Sequence, residues 1–267
     1  MKFIKVKRPA KINLKLKVVA KRPDGFHNIE SVMQTINLYD FLDVNVEKSD
    51  YNEILLSGMS TDIPYDERNI VYKAVNLFLN KLHLVNTKVT VFITKNIPVS
   101  AGLGGGSADA AGVIYALNKI YDDKLTEAQM HKLCSELGSD LNVCLKGGRL
   151  LCQGRGEIIT PIEFEPFKVS LIKPKNLGIS AKEAYQKYAQ KIQNKSAIYE
   201  KDYYLNDLEW AIRDEYSLLK QIKKLYPKSV MTGSGSTFFM INDKFSYHNG
   251  YIVINDLCAI DNGVCEV

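Results

Sequence analysis

The segment Pro98-Val99-Ser100-Ala101-Gly102-Leu103-Gly104-Gly105-Gly106-Ser107-Ala108-Asp109-Ala110-Ala111 constrains this chain more than any other. Four glycines in five positions let the backbone turn sharply and bring several N–H groups onto one anion. Small residues follow at once and enter a helix, whose positive dipole end would face the same point. Ser107 could cap that helix or offer its hydroxyl to a phosphate-bound Mg²⁺. A tight strand–helix packing point would use similar glycines. The order is neither GxGxxG nor the P-loop GxxxxGK[ST], because no lysine follows the last glycine, and the HRD and DFG kinase signatures are absent. The loop therefore belongs to another class of phosphate cradle, with its lysine supplied elsewhere.

Around this loop the pattern reads as α+β in two lobes. Phe3, Val6, Ile12, Leu14, Leu16 and Val18 nearly alternate, Arg22-Pro23-Asp24-Gly25 is a turn, and Val44 and Val46 mark another strand. A helix starts near Asp66 or Asn69 with Ile70, Ala74, Leu77 and Phe78 on one face, and Lys88–Thr94 is a strand stopped by Pro98. Beyond the loop, Ala111, Ile114, Leu117, Asn118 and Tyr121 fall at helical spacing. Thr126 and Gln129 form a capping box, and Gly138 ends the helix they open. The glycines at 147, 148, 154 and 156 mark the join between lobes, dividing the chain into residues 1–155 and 156–267. Further elements are a strand near Val169–Ile172, a helix from Ala181, one from Asn206 or Asp207 to Leu225, and strands at Phe238–Ile241 and Tyr251–Ile254. Irregular alternation favours this over a regular parallel sheet.

Composition sets the setting. Of 267 residues, 35 are basic and 30 acidic, and a net charge of +5 gives no case for nucleic acid. Five cysteines without a CxxC pair, and scattered histidines, exclude zinc-ligand spacing and suit buried reduced thiols. No apolar run approaches the roughly 20 residues of a membrane span, and no signal or transit segment opens the chain. A cytoplasmic protein is expected, working as a monomer or weak homodimer.

Taken together, Pro98–Ala111, the segment Pro9-Ala10-Lys11-Ile12-Asn13-Leu14 and the segment Met231-Thr232-Gly233-Ser234-Gly235-Ser236-Thr237 resemble, in order, the three motifs of the GHMP kinases. That group contains galactokinase and the homoserine, mevalonate and phosphomevalonate kinases. With Arg22-Pro23-Asp24-Gly25-Phe26-His27 and Gly138-Ser139-Asp140, the chain is most similar to members that phosphorylate a cytidyl diphosphate alcohol. The resemblance implies an ATP-binding N-terminal domain, a smaller α/β C-terminal substrate domain, and ATP with Mg²⁺ as cofactors. The reaction it implies is phosphorylation of the C2 hydroxyl of CDP-methylerythritol, in the non-mevalonate route to isoprenoid precursors. Another small alcohol, such as homoserine or mevalonate, and a non-catalytic RNA-associated module are the alternatives.

The resemblance also implies roles. Phosphoryl transfer needs positioned phosphates, neutralised charge and an oriented nucleophile. The loop, Pro98 through Ala108, would hold ATP, with Asn69 and Lys95 lining the adenine pocket and Ser107 reaching the metal. Asp140 would accept the proton of the substrate hydroxyl, with Lys11 beside it holding the carboxylate ionised. His27 would hydrogen-bond the cytosine edge, Phe26 and Tyr185 would stack on its two faces, and Asn13 would contact the diphosphate or the hydroxyls. Read alone, Asp140 could be a helix N-cap, Lys11 an exposed strand residue, Asn69 a helix cap, Lys95 a surface lysine and Tyr185 a helix-core aromatic. Gly233 and Gly235 serve close approach of the C-terminal lobe. Phe26 stands where relatives usually carry Tyr, and Ala181 where a threonine is common. Leu141-Asn142-Val143-Cys144 replaces a Val-Pro-Phe-Phe type run, which leaves the start of the next helix free to shift.

Overall fold

Two long strands organise the molecule. The computed structural model describes residues 1–193 and 205–267. β1 (Lys2–Lys21) and β2 (His27–Lys48) run antiparallel along almost their whole length, joined by the turn at Arg22–Gly25. With β3 (Glu53–Gly58), β4 (Thr87–Thr94), β5 (Arg149–Gln153), β6 (Ile158–Pro161) and the short β11 (Cys265–Glu266) they form a seven-stranded sheet. Only β3 and β4 pair in parallel. Register shifts interrupt the β1–β2 ladder between Pro9 and Ala10 and between Asn13 and Lys15. Such irregularities re-aim side chains next to active sites. Here they leave Arg8, Lys11 and Asn13 all buried, with Arg8 and Lys11 both turned toward the helix that follows the glycine loop.

Helices α1 (Ile70–Lys81), α2 (Gly105–Ile120), α3 (Glu127–Leu137) and α4 (Leu141–Lys146) pack on this sheet. Asn69 caps α1 by accepting from the Val71 N–H. The buried face of α1 is Val71, Ala74, Val75, Phe78 and Leu79. Of the expected face, Ala74 and Phe78 are buried, while Ile70 and Leu77 lie at its edge, partly buried against the same core. The Thr126–Gln129 capping box forms, and Gly138 ends α3.

The second sheet has the order β10-β7-β9-β8, antiparallel throughout: β7 (Lys168–Pro174), β8 (Val230–Met231), β9 (Phe238–Ile241) and β10 (Tyr251–Cys258). Helices α5 (Ala181–Lys191), α6 (Asp207–Ile212) and α7 (Ser217–Leu225) accompany it. The sequence suggests one helix from 206 to 225. The structure breaks it at a 3₁₀ turn (Arg213–Glu215), and Tyr216, extended, donates its hydroxyl to Glu183 of α5. Gly154 and Gly156, read from the sequence as part of a join, turn the β5–β6 hairpin inside the first sheet. The changeover between sheets falls at 162–167.

A separate cluster lies between the sheets. Ala10, Ile12, Ile36, Ile97, Ala101 and Leu103 meet Val169, Leu171, Phe239 and Leu257 there. Burial pushes the Cys134 and Cys152 thiols up to about 12, so these cysteines act as small apolar residues. No helix among the described residues is long and apolar enough to cross a membrane.

Candidate active site

The glycine loop is pinned from both lobes. Ala101 and Leu103 are buried in the cluster between the sheets, and the Lys11 N–H donates to the Leu103 carbonyl at 3.0 Å. Gly102 and Gly104 have φ of 74°, a region that favours glycine. A Cβ on Gly102 would stand 2.2 Å from the Thr232 carbonyl oxygen, and one on Gly233 would stand 2.9 Å from the Gly102 oxygen. The C-terminal glycine motif is thus packed against the loop backbone. Gly104, not Ser107, is the N-cap of α2. The first-turn N–H groups of Gly105, Gly106 and Ser107 have no acceptor within the helix. They border a cavity of about 430 Å³ lined by Pro98 through Ser107, with Asn69 and Lys95.

Lys11 and Asp140 meet beside this cavity. The Lys11 ammonium is 3.1 Å from an Asp140 oxygen and donates to Asn13 Oδ1 at 2.8 Å. Asn13 in turn donates through Nδ2 to Ser31 Oγ at 2.9 Å. Lys11 is 3% exposed and Asp140 29%, so the carboxylate opens outward from a buried cation. Asp140 directly precedes α4, yet its side chain makes no capping hydrogen bond; only its carbonyl joins the helix, accepting from Cys144. A second cavity of about 280 Å³ is lined by Lys11, Asn13 and Asp140 and shares Gly102, Gly104 and Ser107 with the first.

A third cavity, of about 540 Å³, continues past Ser139, Arg155, Ala181 and Tyr185, all shared with the second, to Phe26 and His27. His27 stacks directly on Tyr185, with ring centroids 5.0 Å apart and planes 13° from parallel. The expected sandwich of Phe26 and Tyr185 is therefore not preformed. Phe26 is half-exposed in the turn and its face is covered by the Arg155 guanidinium at 5.2 Å. Burial, aided by Lys21, lowers the His27 pKa, which favours a neutral ring that can both donate and accept.

Lys95 is no surface lysine. It lies buried, paired with Asp40 and with Asp109 at 2.9 Å, and only borders the loop cavity. Asn69 also borders that cavity, with its amide committed to Val71 and to the Pro64 carbonyl. The sequence reading missed Arg8, Asp40, Asp109 and Arg155. Asp109 stood in the loop motif as a possible signal; the others carry none. A larger cavity, about 1130 Å³, lies by the 162–167 connector, where Arg149 is flanked by Phe164 and Phe167. It includes none of the loop residues and neither Lys11 nor Asp140.

Residues 69–148 match the N-terminal domain model of the GHMP kinases. The 4-diphosphocytidyl-2-C-methyl-D-erythritol kinase of Clostridioides difficile (strain 630) is 38% identical over 262 residues, covering 90% of this chain and 86% of that protein. The enzyme of the same name from Caldanaerobacter subterraneus subsp. tengcongensis is 39% identical over 260 residues, 90% and 88% of the two chains. Among solved structures, a 4-(cytidine 5'-diphospho)-2C-methyl-D-erythritol kinase aligns with TM-score 0.71 and 28% identity, covering 88% of this chain and 89% of its own. Homoserine kinase from Cytophaga hutchinsonii shares the fold, with TM-score 0.71 at 16% identity over 100% and 98% of the chains.

Proposed function

This chain belongs to the GHMP kinases and, within them, to the 4-diphosphocytidyl-2-C-methyl-D-erythritol kinases, and from that premise we propose how its residues divide the work. The enzyme transfers the γ-phosphate of ATP to the C2 hydroxyl of its cytidyl diphosphate alcohol, a step of the MEP pathway. One observation carries the assignment of roles: the Lys11–Asp140 pair stands between the loop cavity and the aromatic pocket, where donor and acceptor would meet.

Asp140 orients the acceptor hydroxyl and takes its proton, and Lys11, fixed by Asn13, holds that carboxylate in place. The loop N–H groups and the start of α2 receive the ATP phosphates. Mg²⁺, when bound with the nucleotide, neutralises phosphate charge. The Ser107 hydroxyl suits one of its ligand positions, since it borders both cavities and has no hydrogen-bond partner among the described residues. Asn69 borders the adenine end. Tyr185 and His27 receive the pyrimidine, which has to enter against their stack, with Phe26 beside them. We read the N-terminal lobe as the ATP-binding domain and the C-terminal lobe as the smaller substrate domain, divided at 162–167. The enzyme acts as a monomer or weak homodimer in the cytoplasm.

Purified protein given ATP, Mg²⁺ and the cytidyl alcohol should form the 2-phosphate, identified by phosphorus NMR. Turnover of homoserine or mevalonate in its place would overturn the substrate assignment. A pH dependence follows as well. Because burial, aided by Lys21, lowers the His27 pKa, the ring is mostly neutral at pH 7 and gains its proton in a pH range below the ordinary histidine one. Protonation removes its acceptor. The KM for the cytidyl substrate should therefore rise about tenfold as pH falls through that range, the worth of one such hydrogen bond. His27→Ala should have a high KM that no longer changes with pH, and a retained pH response would place the titration elsewhere.

A further inference from the structure

Four buried charges to which this reading gives no contact with the reacting phosphate or the acceptor lie beneath the loop, two of them, Lys95 and Asp109, at the edge of its cavity. Arg8 comes from β1, Asp40 from β2, Lys95 from the end of β4 and Asp109 from the first turns of α2. Asp109 is 3.0 Å from Arg8 Nη2 through one oxygen and 2.9 Å from Lys95 Nζ through the other. Lys95 also pairs with Asp40, whose second oxygen accepts the N–H groups of Asn96 at 2.6 Å and Ile97 at 2.8 Å. None of the four side chains exceeds 6% exposure. Two cations balance two anions.

Such a cluster needs a reason beyond stability, because apolar side chains of similar volume often replace buried ion pairs at no loss. The reason here is geometric. A Cβ on Gly105, the first residue of α2, would stand 3.2 Å from Lys95 Nζ. Asp109, four residues on and therefore on the same helix face, reaches back to that ammonium. Lys95 opens the segment that becomes the loop, and Asp109 sits just past its end. Their ion pair closes the residue 95–109 excursion at its base, while Asp40 holds the entry backbone. Burial pushes the Asp109 carboxyl up, and the two cations oppose that shift.

We propose that Asp109 is a positioning residue for the nucleotide phosphates: through Lys95 it closes the base of the loop and keeps the loop N–H groups aimed at one point. The proposal rests on reading the loop as the ATP site. In it, the charge of Lys95 is spent inside the protein rather than on the nucleotide.

Asp109→Asn alone would leave a buried cation uncompensated, a strongly destabilising change. The test therefore uses the full chain with Arg8→Met and Asp109→Asn together, which leaves Lys95 and Asp40 as a neutral pair. This variant should unfold within about 5 °C of the parent. Its affinity for ADP and for a non-hydrolysable ATP analogue, measured by calorimetry, should fall at least about tenfold. Inhibition by adenosine, which has no phosphates, and the KM for the acceptor should change by less than about threefold. A second variant, Lys95→Met with Asp40→Asn, keeps the Arg8–Asp109 pair and cuts the same link from the other side, so it should show the same loss. Parent-like analogue affinity in either folded variant would overturn the proposal, reducing Asp109 to charge balance. Failure of both variants to fold would also overturn it, by assigning the cluster to stability. If the parent itself ignores the analogue, the ATP assignment fails instead.

Discussion

Asp140→Asn should lower kcat by roughly a thousandfold while the affinity for an ATP analogue stays within about threefold of the parent. The substitution keeps the shape of the side chain and removes its negative charge, and with it the ability to accept a proton as a carboxylate. Lys11 keeps its hydrogen bond to Asn13 Oδ1 at 2.8 Å but loses the negative charge beside its buried ammonium, so the variant should also unfold at a lower temperature than the parent. The helix that follows would not be disturbed, since the Asp140 side chain makes no cap and its carbonyl bond to Cys144 is untouched. The cavity proposed for the nucleotide is lined by the loop and does not include Asp140. Steady-state kinetics and calorimetry on the same preparation separate the two effects. Turnover close to the parent would mean that the hydroxyl proton leaves by another route.

Gly102→Ala should be the most damaging change in the loop. At φ 74° an alanine costs on the order of 1 kcal/mol in backbone strain alone. The larger cost is steric: its Cβ would lie 2.2 Å from the Thr232 oxygen and 3.1 Å from the Gly235 backbone. Either the loop or the C-terminal glycine motif has to move. A displacement near 1 Å in a phosphate-positioning loop can cost about a hundredfold in rate. The KM for ATP should rise by about that factor, with the thermal midpoint down by several degrees. Gly250→Ala is the control, because it carries φ 85° with nothing within 4 Å of the added carbon. It should show the strain without any change in ATP kinetics. Equal kinetic damage in both variants would rule out the contact between loop and C-terminal motif as the cause.

What could be read beforehand were features whose physics is local. The Thr126–Gln129 box, the Gly138 stop and the glycine loop entering a helix each occupy a few consecutive residues, and each forms as its chemistry requires. The charge cluster under the loop was illegible because Arg8, Asp40, Lys95 and Asp109 are brought together only by the pairing of β1 with β2 and of β2 with β4, and by α2 lying over the sheet. Lys95 looks like any surface lysine until that packing is known. Gly154 and Gly156 were ambiguous for another reason: a tight hairpin and a flexible join ask for the same residue type. At the substrate end, the aromatic residues could be named but not their partners. Tyr185 finds His27 rather than Phe26, because Phe26 belongs to the exposed turn while His27 begins β2 and lies against α5.

β1 is one continuous strand, yet it contributes to three separate cores. Val6 belongs to the first lobe, Ala10 and Ile12 to the layer between the sheets, and Leu16 and Val18 to the second lobe beneath Trp210 and Phe238. The Leu16 N–H even donates to the Leu205 carbonyl, and Asn13 N–H to Thr232 Oγ1. The lobes are therefore not interchangeable modules. A chimera that joined this N-terminal half to another family member's C-terminal half at 162–167 would carry the wrong Leu16 and Val18 into the grafted core. Exchange would require Leu16 and Val18 to change with the second half while Val6 stays matched to the first, so the two halves are bound to diverge together.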